Sequence, residues 1–366
     1  GGLIMNTDLR AQADADWAAL AARCIRRKKR NELVVSEGLG RAAAAWPTSQ
    51  VVSAALARVV AVSGTTVADT AMADFVGLDA GLRKFQSGDC FTESRVWSAR
   101  RRSVFYDDNA WIALNFIELA LLQLHGALPG DPLPAITQAR GVLHLLMSGQ
   151  DTRDGGISWQ VGGDTRNACS TAPAGLVALR IVEAERAHGG LPQSDHAELI
   201  AFAQRCAGFI DLLRDSRGLV ADHVRSDGRI EPSIYSYNQG TGLGLSVQLH
   251  CVTHDEVSLG SAQHAAAASI EYYSADDRLW QESPAFVAIF LRHLAVLRAF
   301  DGSDTGRDLT DRWLNRLTAQ ARDPSTGFYS RASIGRYDGS VSLDQAGIVA
   351  ARYTDSWPAD LIRFLC

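Results

Sequence analysis

The sequence is poor in the features that announce several common chemistries. Its six cysteines, at 24, 90, 169, 206, 251 and 366, form no CxxC pair. That excludes the familiar zinc spacings and a disulfide framework, and in a chain of 366 residues they read as buried thiols. No GxSxG elbow, phosphate-binding glycine loop, dinucleotide fingerprint, HExxH or EF-hand loop occurs. The nine histidines are scattered, so neither a metal nor a cofactor is expected. No apolar run reaches the length of a membrane span. Cationic excess is missing too: 36 Lys and Arg stand against 41 Asp and Glu, for a net charge of −5. Such a balance offers no partner surface to nucleic acid or an anionic membrane. Alternating strand patterns are nearly absent.

What is present is helical periodicity. The chain is 46% hydrophobic and 21% charged, enough apolar side chain for a large core. Stretches such as "NAWIALNFIELALLQLHG" and "SPAFVAIFLRHLAVLRAF" repeat apolar residues at three- and four-residue intervals. Recurrent Ala favours helix. The spacing predicts twelve helices, near 7–30, 48–62, 66–84, 108–125, 133–149 and 167–188, then 194–214, 237–252, 255–274, 284–300, 304–322 and 342–364. Pro358 should break the last. The basic run "RCIRRKKRNE", 23–32, reads as the solvated C-terminal end of the first helix, where cations suit the dipole. No Pro/Ser-rich linker divides the chain, so residues 6–366 are expected to form one catalytic domain. Six helical hairpins of roughly sixty residues each can close into a ring; the fold expected is all-α, an (α/α)6 barrel.

The connections differ in character. "GLRKFQSGDCFTESRVWSARRRSVFYDD", "DTRDGGISWQVGGDTRNACSTAP" and "SRGLVADHVRSDGRIEPSIYSYNQG" are long and carry Trp, Tyr, Gly, Asp and Asn. They alternate with short links such as "ERAHGGLPQSD" and "CVTHDE". Long loops in compact proteins usually carry function, so these are expected to share one face of the ring and build a cleft there.

Within them, "FYDDNAWIALNF", 105–116, places Asp107 and Asp108 side by side. Mid-helix neighbours diverge by about 100°, but at a helix entrance, where the backbone is not yet helical, two side chains can converge. The bland reading is an N-cap. The flanking Phe105, Tyr106 and Trp111 argue for more, because sugar sites stack rings on aromatic faces. "SIYSYNQGTGLG" adds Tyr237 with Asn238 and Gln239, amides able both to donate to and accept from hydroxyls; its bland reading is a helix-capping loop. "GGISWQVGGDTRNACSTAP" adds Trp159 as a stacking platform or a buried ring, and Arg166 and Asn167 before a helix start. Arg166 either tunes a nearby carboxylate or braces the loop. Asp222 and His223 in "ADHV" contact substrate or form a structural pair, and "WPTSQ" at 46–50 is a fainter signal.

Together "YDDNAW", "GGISW", "RNACSTAP" and "YSYNQG", in this order, resemble glycoside hydrolase family 76, the endo-α-1,6-mannanases, with "WPTSQ" similar to its actinobacterial branch. The resemblance runs across about 46–300. It implies an (α/α)6 barrel and retaining cleavage of α-1,6-mannosidic linkages by double displacement, with Asp107 as nucleophile and Asp108 as acid/base. Tyr106, Asn109, Trp159, Arg166, Asn167, Asp222, His223, Tyr237, Asn238 and Gln239 are then expected to bind substrate. The partner it implies is mannan or a mannose-rich glycoconjugate, and a monomer is expected. Cys169 departs from some members. The alternatives are a non-catalytic glycan-binding protein of the same fold, or another (α/α)6 sugar enzyme, an epimerase or lyase. The chain's start lacks the basic and apolar stretches of a signal peptide, and residues 1–4 read as a cloning remnant before a native Met5. A cytoplasmic protein is expected if Met5 is the start, and a secreted or envelope protein if a signal peptide has been removed.

Overall fold

The computed structural model describes residues 2–29, 31–37, 41–95, 103–189, 195–329 and 340–366. Twelve helices pair in two concentric layers. The inner layer is α2 (Ala45–Ala61), α4 (Tyr106–Leu124), α6 (Ala168–His188), α8 (Ser236–Thr253), α10 (Pro284–Asp301) and α12 (Val341–Asp355). Each packs on the next, and α12 closes the ring against α2. Outside lie α1 (Gly2–Cys24), α3 (Ala68–Leu82), α5 (Leu133–Ser148), α7 (His196–Leu212), α9 (Glu256–Ser274) and α11 (Arg307–Arg316). This is the (α/α)6 barrel expected from the periodicity. The pairing is offset by one helix from successive hairpins that start at α1. The first hairpin is α2–α3, and α1 packs on α12 to complete the sixth. A short α13 (Ala359–Ile362) follows Pro358, the break expected there.

The inner helices are buried on nearly every side. Along α6 the run from Ala168 to Val182 is buried throughout, as befits a helix that is apolar or small all round. Glycines let these helices approach. A Cβ at Gly240 on α8 would sit 2.7 Å from Phe290 Cα on α10. One at Gly347 on α12 would sit 2.7 Å from Ala285 Cα, also on α10. Any side chain at either position forces two helices apart.

The basic run is not a helix end. After Cys24 the chain turns into a hairpin, β1 (Ile25–Lys29) antiparallel to β2 (Glu32–Val35). Arg26 to Lys29 are all exposed, so the strand has no apolar alternation to betray it. Its docking is set by Leu33. Gly77 and Gly81, one turn apart on α3, leave a groove in which a Cβ would lie 2.8 Å from Leu33 Cγ or 2.0 Å from its carbonyl oxygen. Lysine and arginine on such an edge also discourage pairing with other chains. Two further small sheets occur: β3 (Gln86–Ser87) with β4 (Cys90–Phe91), and β5 (Arg166–Asn167), β6 (Ala221–Val224) and β7 (Ile230–Ile234) in that order. Four cysteines are buried as expected; Cys90 and Cys251 are only half-buried, and all six are free thiols.

Among the described residues no helix is long and apolar enough to cross a membrane.

Candidate active site

The long connections do gather at one end of the ring, around a cleft of about 1110 Å³. Part of the first, residues 96–102, lies outside the described residues. Asp107 and Asp108 stand at the cleft floor, half-buried. Neither is an N-cap. That position is Phe105, which makes no side-chain cap, and the aspartates are the second and third residues of α4. Their backbone is therefore already helical, contrary to expectation. They share one space because the helix begins there and no earlier turn covers them.

A strip of extended chain holds Trp159 over the pair. Asn167 N donates to Ile157 O at 2.8 Å, Tyr106 N to Trp159 O at 2.9 Å, and Val161 N to Val104 O at 3.0 Å. Residues 157–161 are thus stitched to the entrances of both α6 and α4. Trp159 rests on Phe105, with centroids 4.8 Å apart, and its indole Nε1 donates to Asp107 Oδ2 at 2.9 Å. The other Asp107 oxygen accepts the Asp108 amide at 2.9 Å. Trp159 is nonetheless 49% exposed, leaving ring surface for a ligand.

The two carboxyls differ in environment. Burial raises Asp107, and the Asp108 amide, the Trp159 indole and the Cys169 thiol pull it back by bonding its charged form. Burial raises Asp108 well above the usual carboxylate range; the charges of Asp107 and then Glu93 add to it. No hydrogen bond to the Asp108 carboxyl exists among the described residues. The pair titrates jointly, but the asymmetry favours an ionised Asp107 beside a protonated Asp108. Cys169 stays a thiol, held up by burial and then by the charge of Asp107.

The opposite wall is aromatic. Tyr237 stacks on Phe286 at 4.0 Å and 18°, and Phe286 on Trp46 at 6.0 Å and 29°. Tyr235 meets Phe286 edge-on at 5.9 Å. Such faces suit the C–H-rich side of a sugar ring. His223 Nδ1 lies 2.7 Å from Asp222 Oδ2, and both line the cleft with Asn167.

Five residues expected to bind substrate do not reach the cleft. Asn109 is fully buried; it accepts from Phe91 N at 2.8 Å and donates to Phe91 O and Phe105 O at 2.9 and 2.8 Å. It staples the end of β4 to the first turn of α4. Gln239 likewise binds Val220 N and O, both at 2.8 Å. Asn238 is buried and donates to Asp222 Oδ1 at 3.2 Å. Arg166 is turned away to Asp154, Nε to Oδ2 2.8 Å, and braces its loop. Tyr106 is buried with its ring where a Cβ on Gly149 would stand, 2.5 Å away. An amide or guanidinium beside a catalytic motif is as useful to the backbone as to a sugar, and residue type does not reveal which.

The sequence reading also missed cleft residues. Glu93, Glu282 and Phe286 lie outside every motif, although Trp46 and Pro47 fall in the faint "WPTSQ" signal. Glu282 accepts from Ser236 N at 2.8 Å, from the Ser236 hydroxyl, and from Tyr273 OH at 2.6 Å. It thereby caps α8. Among the described residues no three His, Cys, Asp or Glu side chains cluster to hold a metal ion.

No curated protein matches the chain. Solved structures do. A family 76 glycoside hydrolase from a bovine Bacteroides thetaiotaomicron strain superposes with TM-score 0.79 at 19% identity, over 95% of this chain and 77% of that one. A family 76 mannosidase from Bacteroides thetaiotaomicron VPI-5482 gives 0.78 at 19%, over 95% and 98%. An inactive variant of the α-1,6-mannanase GH76A of Salegentibacter sp. HEL1_6, with two neighbouring aspartates replaced by asparagine and α-1,6-mannotriose bound, gives 0.71 at 17%, over 97% and 99%. At these identities the likeness establishes the barrel. The family model described as Glycosyl hydrolase family 76 matches residues 37–346, and on that span the chain belongs to glycosyl hydrolase family 76 and is a glycoside hydrolase.

Proposed function

We propose that the protein cleaves α-1,6-mannosidic linkages in mannan or mannose-rich glycoconjugates with net retention. The observation that carries this reading is the pairing of two unequal carboxyls in one aromatic-walled cleft. Asp107 is held by neutral donors that favour its charge; Asp108 has none among the described residues. A retaining glycosidase needs one ionised nucleophile and one protonated acid.

In the first step Asp108 gives its proton to the departing glycosidic oxygen while an Asp107 oxygen forms the bond to the anomeric carbon. In the second, Asp108 takes a proton from water, the water oxygen bonds to that carbon, and the Asp107 carboxylate leaves. Each step inverts, so the product keeps the α configuration. The Trp159 indole and the Asp108 amide fix the attacking carboxylate, and Tyr237, Phe286 and Trp46 offer faces to the sugar rings. The Salegentibacter mannanase, inactive with two neighbouring aspartates replaced and crystallised with α-1,6-mannotriose, supports both the pair and the linkage.

The test is proton NMR of α-1,6-mannotetraose during hydrolysis. Retention puts α-anomeric signal first, with β appearing only by mutarotation. Initial β product means inversion, and no cleavage of the oligosaccharide sinks the substrate assignment.

A further inference from the structure

Glu93 has no place in the mechanism above, yet it lines the cleft and its backbone is anchored through both N–H and C=O. Its amide donates to Ser103 O at 2.8 Å, and its carbonyl accepts from Ala45 N at 3.0 Å. Two residues earlier, Phe91 is clamped through both N–H and C=O by Asn109, the neighbour of Asp108. The segment bearing Glu93 and the helix turn bearing Asp108 are thus one rigid unit. The Glu93 carboxyl is half-buried, faces the cleft, and has no hydrogen-bond or ion-pair partner among the described residues. A carboxylate left without a partner in the cleft that holds the aspartate pair is costly, so its placement needs a reason.

The other carboxyls facing Asp108's cleft are partnered, and Tyr235 there meets Phe286 edge-on. Asp107 is bonded by the Trp159 indole, Asp222 by His223 and Asn238, and Glu282 by Ser236 and Tyr273. Cys169 and Tyr237 are neutral, both pushed up by burial. Besides Asp107, Glu93 acts on Asp108, and it is the carboxyl lining this cleft, Asp108 itself apart, that has no partner among the described residues.

Resting on the retaining reading above, we propose that Glu93 is a positioning residue for the acid step, its carboxylate keeping the proton on Asp108 until the leaving oxygen arrives. The direction of its influence on Asp108 agrees. Glu93 touches no reacting atom; it sets the protonation of the group that does.

The experiment compares wild type, Glu93→Gln and Glu93→Asp. With an α-1,6-mannobioside as substrate, Glu93→Gln should move the alkaline limb of kcat/KM down by about one pH unit, a tenfold loss above the optimum. With an α-mannobiosyl fluoride, whose leaving group departs without a proton, the loss should stay below about twofold. Glu93→Asp, which keeps the charge, should hold the wild-type limb. A raised KM with an unmoved limb would make Glu93 a sugar ligand and overturn the proposal; so would equal shifts in Gln and Asp. Carbon-13 NMR of labelled aspartate, with the Asp108 signal assigned through Asp108→Asn, reads the same effect without substrate. If that signal titrates identically in wild type and Glu93→Gln, the proposal fails. If it moves while wild type cleaves no mannoside, the substrate reading fails and the role of Glu93 stands.

Discussion

The two ends of α4 treat buried acid in opposite ways. At the cleft, Asp107 and Asp108 meet no cation among the described residues; the donors to Asp107 are neutral. Ten residues on from Asp108, about 15 Å down the axis, Glu118 is 1% exposed, and its Oε2 is met by a cation and a backbone amide. Arg292 Nη1 donates to its Oε2 at 3.0 Å and Cys366 N at 2.8 Å, while the same guanidinium reaches Cys366 O and Ser53 Oγ. Burial still raises Glu118, but Arg292 pulls it back. One helix therefore carries a structural acid and the proposed catalytic pair, and the difference lies in the partners. An acid matched to an arginine is pinned in one state and cements the ring; an acid left among neutral donors and other acids is free to change state.

That contrast can be broken from either end. Asp107→Asn should lower turnover of α-1,6-mannan by about four orders of magnitude or more with the fold intact by circular dichroism; residual wild-type turnover would end its role as nucleophile. Asp108→Asn should cost about 10²–10⁴ on the same substrate and much less on a mannosyl fluoride, since the first step then needs no acid. At the far end, Glu118→Gln should leave kcat within about twofold while destabilising the protein by about 3 kcal/mol in urea unfolding, the scale for stranding a buried arginine. Between the extremes, Trp159→Phe keeps the ring and removes one neutral donor from Asp107; about a tenfold fall in kcat is expected, close to one hydrogen bond to a charge.

The smallest effect sharpens the comparison through pH. Folding raises Asp108 above its unfolded value, so the folded state binds more protons and loses stability as pH rises from the ordinary carboxylate range through the folded value. Asp108→Asn escapes that loss. Its melting temperature should equal that of wild type near pH 4 and exceed it by roughly 2 °C at pH 8. A variant less stable than wild type at pH 8 would mean that the acid is held by partners after all.

Much of the barrel is legible because inner helices announce themselves by small and apolar residues on every face. Nine of the expected helices begin and end within three residues of the observed bounds; α11 stops early at Arg316, α12 stops at Asp355 ahead of Pro358, and the first overran into β1, whose four exposed cations look like a helix terminus. The site is legible in part. Asp107, Asp108, Trp159, Asn167, Asp222, His223 and Tyr237 all reach the cleft. Asn109 and Gln239 lie in the same motifs yet spend every polar atom on backbone, because the loops that carry the site must themselves be fastened. Glu93 sits in the first long loop without a motif of its own, and Phe286, in a helix read only as core, reaches the cleft only because the ring closes.

The glycines between α8, α10 and α12 have a consequence at some distance. Gly240 against Phe290 lies one helical turn below the Tyr237–Phe286 stack. Adding a methyl there forces the two helices apart beneath the rings. The width of the cleft is thus gauged by two hydrogen atoms on a residue that does not line it, and can be retuned without altering a single lining side chain.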